Sequence, residues 1–178
     1  MKTIILPGYS PHNKDWALEI KKELKLGNNV LVHEWRHWKS PSLSLSLRYE
    51  LSEILRKTGK DKVNIIAKSV GTRIAMYLIA KIPNQINKVI LCGIPTKAES
   101  KTVNKIYTSG LSLLSPSQVI IFQNTNDPFA SYSDIKKFIG KLNPKINKFV
   151  SSEIKVIEKP GSDHHYPYSL DFLKFLKE

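Results

Sequence analysis

The chain has 178 residues, 41% hydrophobic and 24% charged, with 28 Lys and Arg against 15 Asp and Glu, a net charge of +13. This length fits one domain over residues 1–178, able to bury roughly 70% of its unfolded surface without help from a metal, and the composition excludes global disorder. No apolar run reaches the ~18–20 residues of a membrane span, and Cys92, the only cysteine, excludes an internal disulfide.

The elements alternate from the start. Residues 3–6 read as a strand, and Pro7-Gly8 follows too early for a secretory apolar core, so a reducing cytoplasm is expected. Trp16, Ile20 and Leu24 then share one helical face. A second strand is expected over 29–33, and after the Ser-rich loop 40–46 a helix carries Leu47, Leu51, Ile54 and Leu55. Strand 62–67 precedes a stripe of Val70, Ile74, Leu78 and Ile82, closed by Pro83. Strand 88–91 precedes Val103, Ile106, Tyr107 and Leu111. Strand 118–123 precedes Ile135, Phe138, Ile139 and Leu142, with the helix ending before Pro144. Strand 153–158 and a helix bearing Phe172, Leu173 and Leu176 close the chain.

The strands are continuous Val, Ile and Leu rather than alternating, as strands covered on both faces are. Repeated strand–helix units therefore predict an α/β fold, a three-layer α/β/α sandwich around a mostly parallel sheet of about six strands. In such sheets ligands bind beyond the carboxyl ends of the strands. The residues standing there define the candidate site.

Ser69 lies between a buried strand and a helix opening at Val70. A sharp strand–nucleophile–helix turn requires small residues two before and two after the nucleophile, and Ala67 and Gly71 occupy those positions. A serine there could also simply cap the helix. His164 follows the last strand and supplies a base of suitable basicity, with His165 as the alternative. Asp127, before Pro128, could orient the histidine and hold its tautomer, or merely serve a turn. For a developing oxyanion the backbone N–H groups of Val70 and Tyr9 are the expected donors, Gly8 allowing close approach of the first loop.

The order of these segments resembles the α/β-hydrolase superfamily, most nearly its small lid-less serine hydrolases of the retinoblastoma-binding-protein-nine-like type. LPGYS, AKSVG, TNDPFAS and PGSDHHYP carry the resemblance, and AKSVG departs from G-x-S-x-G at its first position. The resemblance implies a Ser69–Asp127–His164 triad with Tyr9 and Val70 as oxyanion donors, and an absence of the two leading strands and the cap of larger relatives.

Trp35, Arg36 and Trp38 after the second strand, with Lys68 and Phe129, are candidates for a substrate pocket, Arg36 and Lys68 favouring an anionic group. His33 and His37 have no acidic third ligand in register, so no metal is expected, and Cys92 reads as a core residue. The expected activity is a serine hydrolase on a small ester, thioester or amide, without cofactor, as a monomer or small homo-oligomer. The alternatives are a non-catalytic binding protein of the same fold and a basic nucleic-acid-binding protein. The latter is disfavoured because only four basic residues are arginines and the lysines are scattered.

Overall fold

In the computed structural model, which describes residues 1–96, 101–146 and 153–178, six parallel strands form one sheet in the order β2-β1-β3-β4-β5-β6. These are β1 (Lys2–Leu6), β2 (Val30–Val32), β3 (Val63–Lys68), β4 (Ile86–Cys92), β5 (Val119–Asn124) and β6 (Lys155–Lys159). The helices are α1 (Asn13–Leu24), α2 (Arg36–Lys39), α3 (Leu47–Thr58), α4 (Val70–Lys81), α5 (Lys101–Leu111), α6 (Tyr132–Ile146) and α7 (Ser169–Lys177). Each strand expected from the sequence forms, with ends shifted by one or two residues.

Neighbouring strand residues serve opposite faces, which is why the strands carry no polar alternation. Ile4, Leu6, Ile65, Ala67, Val89, Leu91 and Ile121 pack beneath α3, α4, α5 and α6. Ile5, Ile66, Ile90, Cys92 and Phe122 pack beneath α1 and α7. Burial pushes the Cys92 thiol well above its usual range, as suits a core residue rather than a nucleophile.

The helical stripes read from the sequence face the core, with Leu47, Leu55, Val70, Ile82, Ile106, Leu173 and Leu176 half-buried at its margin, and Ser46 accepts a hydrogen bond from the Tyr49 N–H at the start of α3. One boundary differs from expectation. The α6 helix does not stop before Pro144 but runs to Ile146. Pro144 has no N–H, so the helix forfeits only the bond that the Gly140 carbonyl would accept, and the remaining bonds and the buried face of Ile135, Phe138, Ile139 and Leu142 hold it.

Chain order reverses between β1 and β3: from β1 the chain crosses to β2 on one side, and β3 then pairs with β1 on the other. Their following helices, α1 and α4, consequently lie on opposite faces. The two departing chains open a crevice at the carboxyl ends of β1 and β3, the usual binding position in doubly wound sheets.

Candidate active site

Ser69 stands in that crevice, between β3 and α4, with φ 54° and ψ −123°. A non-glycine residue with positive φ stores roughly 1–3 kcal/mol of strain and persists only where its surroundings over-determine it. Here the Ser69 N–H donates to the Cys92 carbonyl at 3.0 Å. Its carbonyl accepts from the Thr72 N–H at 2.9 Å and the Thr72 hydroxyl at 2.6 Å. Since that hydroxyl proton is spent, Tyr107 must donate to Thr72 Oγ1 across their 2.6 Å contact. The turn brings α4 hard against β1. A Cβ on Gly71 would lie 2.1 Å from the Leu6 carbonyl oxygen.

Asp127 follows β5, its side chain fully buried. Burial pushes its carboxyl up, but hydrogen bonds from His164 Nδ1 (2.6 Å), the Tyr166 hydroxyl (2.5 Å) and the Phe129 N–H (2.8 Å) outweigh that. The result lies below the ordinary carboxylate range. An ionised Asp127 can only accept, so His164 carries a proton on Nδ1, which leaves Nε2 as the ring nitrogen free of that pair. That Nε2 is buried and has no hydrogen-bond partner among the described residues.

Ser69 and His164 line one cleft of roughly 560 Å³, together with Tyr9, Asn13, Lys68, Phe129 and His165. No hydrogen bond joins the Ser69 hydroxyl to His164 among the described residues; a catalytic contact of this type is often long until substrate is bound. The Phe129 ring meets His164 edge-on at 4.6 Å. His165 reaches the cleft, but its backbone is what is anchored: its N–H donates to Asp163 Oδ1 and its carbonyl accepts from Asn124 Nδ2. The Val70 N–H opens α4 beside Ser69, where the first-turn amides and the positive helix end favour negative charge. Tyr9 and Ser10 of the loop after β1 also line the cleft.

The second-strand candidates lie elsewhere. Trp35 is fully buried and donates from Nε1 to the Gly8 carbonyl at 2.9 Å, so it does not wall the cleft. Trp38 donates to the Tyr9 carbonyl at 2.7 Å from outside the loop. Arg36 turns away, its guanidinium 4.5 Å over the Tyr49 ring, and borders a separate cavity with Glu50 and Arg56. The reason is common to all three: α2 folds back over the outer side of the β1 loop instead of over the sheet edge. Lys68 does reach the cleft. It is nearly buried, bonded to Asn13 Oδ1 at 2.7 Å and 5.2 Å from the Trp16 ring centroid, and burial holds its ammonium below the usual lysine range.

Three supporting residues were not legible as such. Gly93, after β4, has φ 57° and no room for a side chain, since a Cβ would sit 2.6 Å from His164 Cε1. Tyr166 is fully buried and donates to Asp127 while accepting from the Asn124 N–H. Asn124 ties down the histidine loop through the Asp163 and His165 carbonyls. Only the glycine and the PGSDHHYP aromatics gave any signal in the sequence.

The sequence profile for the alpha/beta hydrolase fold matches residues 8–156. The chain belongs to the alpha/beta hydrolase fold family. Solved α/β-hydrolases superpose over nearly its full length. A YdeN-like hydrolase from Pectobacterium atrosepticum is 14% identical with a TM-score of 0.66, covering 99% of this chain and 90% of that one. A bromoperoxidase from Bacillus anthracis is 15% identical with a TM-score of 0.66, covering 99% and 92%. An N-formylmaleamic acid deformylase from Pseudomonas putida is 12% identical with a TM-score of 0.61, covering 98% and 90%. No curated protein matches the sequence. Among the described residues of this α/β-hydrolase, no helix is long and apolar enough to cross a membrane.

Proposed function

We propose that this protein is a serine hydrolase that cleaves a small carboxylic ester, thioester or amide through an acyl-enzyme on Ser69. The observation that carries the reading is the Asp127–His164 pair, which leaves a buried, unpartnered Nε2 on the cleft that also holds Ser69. A hydroxyl is a weak nucleophile until a base accepts its proton. His164 takes the Ser69 proton as Oγ attacks the carbonyl carbon, and Asp127 stabilises the imidazolium. The oxyanion is held by the backbone amides of Tyr9 and Val70. His164 then returns the proton to the leaving alcohol, thiol or amine. Water enters by the same base catalysis and releases the acid. Family membership and a neighbour named as a deformylase agree with hydrolysis of an acyl compound.

A fluorophosphonate probe tests this, because it phosphonylates only an activated serine. One adduct on Ser69, absent from Ser69→Ala and strongly slowed in His164→Ala, is the expected result. Equal labelling of Ser69→Ala, or none of the wild type, would sink the proposal.

A further inference from the structure

Three hydrogen bonds converge behind the loop that carries the Tyr9 amide, two more anchor the segment that donates them, and the proposed reaction uses none of these. The carbonyls of Gly8 and Tyr9 are consecutive. Trp35 Nε1 donates to the first at 2.9 Å. His37 Nε2 and Trp38 Nε1 donate to the second at 2.8 and 2.7 Å. A carbonyl oxygen can only accept, so His37 carries a proton on Nε2. Its ring also stacks on the Tyr9 ring at 4.3 Å. All three donors come from the short segment between β2 and the end of α2.

That segment is itself anchored from α3. Glu50, fully buried, accepts from the Arg36 N–H at 3.1 Å through Oε1 and pairs with His33 Nε2 at 2.7 Å through Oε2. A carboxylate without solvent is expensive to bury unless it is paired and hydrogen-bonded. Here both of its oxygens are spent on fixing where α2 begins.

The consequence follows from peptide geometry. In a trans peptide the carbonyl oxygen and the following N–H point in opposite directions. Holding the Gly8 oxygen against Trp35 therefore sets the direction of the Tyr9 N–H, and holding the Tyr9 oxygen fixes the plane on the other side of the same Cα. The need of buried indoles for acceptors explains Trp35 alone. Trp38 is only half-buried and could bond to water, yet it spends its N–H on the same carbonyl as His37.

We infer that Trp35, His37 and Trp38, anchored by Glu50 and His33, are positioning residues that aim the Tyr9 amide at the developing oxyanion. The inference rests on the serine-hydrolase reading and deepens it. A rigid donor is worth far more in the transition state than one that must reorganise, and misplacement by about 1 Å can cost 100-fold. None of these side chains touches the reacting atoms, so the effect belongs in kcat.

The test compares wild type with Trp38→Phe, His37→Leu and His37→Gln, using p-nitrophenyl acetate turnover and the rate of Ser69 labelling by a fluorophosphonate. Trp38→Phe and His37→Leu should lower kcat and the labelling rate together, by about 10- to 100-fold, with KM within about twofold. His37→Gln, which can still donate to the Tyr9 carbonyl, should recover most of the loss. Thermal melting of each variant separates this from unfolding, and Trp38→Phe, at a half-buried site, keeps the test informative if His37→Leu melts early. Unchanged kcat in folded Trp38→Phe and His37→Leu, or a rise in KM alone, overturns the inference while leaving the hydrolase reading intact. Wild-type protein without Ser69-dependent turnover or labelling overturns both.

Discussion

At the scale of single residues, Asp127 shows how several small interactions reverse the effect of burial. Desolvation alone would raise its carboxyl, but donors from His164, Tyr166 and the Phe129 amide hold it below the ordinary range. Tyr166 moves the other way. Burial and the neighbouring Asp127 raise its hydroxyl far above the normal tyrosine range, so it remains a donor at every working pH. Because the folded carboxyl lies below its unfolded value of about 3.9, the stabilisation from its ionised form is complete above that value and is lost as pH falls through the folded one. Replacing Asp127 by Asn should therefore lower stability at pH 7 by about 1–3 kcal/mol, the range for hydrogen bonds to a charged group. The gap to wild type should narrow below about pH 4. Denaturant melts of both proteins between pH 3 and pH 8 would show it, and a gap independent of pH would contradict it.

At the scale of elements, two close approaches set the site. Gly71 allows α4 to abut the end of β1, and Gly110 lets α5 lie against Met76 of α4, where a Cβ would meet the Met76 sulfur at 2.8 Å. The two differ in what yields. A methionine side chain can shift, whereas the Leu6 carbonyl at 2.1 Å from a Gly71 Cβ is backbone at the end of a central strand. Gly71→Ala should cost about 2–3 kcal/mol, at the upper end of overpacking effects, and should abolish Ser69 labelling by moving the turn. Chemical denaturation and probe labelling together check this. Loss of labelling without loss of stability would mean that the strain is absorbed within the turn.

The elements themselves were readable because their signals are local. Strand burial on both faces appears as unbroken Val and Ile, and helical stripes appear at their period. The placement of Ser69, Asp127 and His164 at strand ends follows from strand order along the chain. The position of α2 was not readable. Whether Trp35 and Trp38 turn inward over the sheet edge or outward onto the β1 loop depends on Glu50, fourteen residues after Arg36. No periodicity in residues 33–39 announces that contact.

At the scale of the whole molecule, the net charge of +13 acts through mutual repulsion more than through any one site. The ion pairs present include Lys2–Asp61, Lys14–Glu34, Lys39–Glu34, Arg56–Glu53 and Lys159–Asp171. With 28 basic side chains against 15 acidic, one-to-one pairing would still leave an excess of 13 cations. Salt screens repulsion between exposed charges beyond about 10 Å at 0.1 M. Raising NaCl from 10 to 300 mM should stabilise the protein by about 1 kcal/mol, or roughly 2–4 °C in Tm for a chain of this length. A Tm that falls with salt would show that the surface ion pairs outweigh the repulsion.

The sequence by itself determined the α/β layering, the parallel sheet and which segments face the crevice, because burial pattern and chain order are properties of neighbouring residues. It also pointed to one strand-to-helix turn for the candidate nucleophile, because Ser69 stands between a buried strand and a helix with Ala67 and Gly71 two residues to either side. The tertiary structure alone decided that His164 and not His165 meets Asp127, that Tyr166 and Gly93 complete that pair, and that Trp35, Arg36 and Trp38 stand behind the cleft instead of in it. Those outcomes rest on hydrogen bonds between elements distant along the chain, and the geometry of such contacts exists only once the layers have packed.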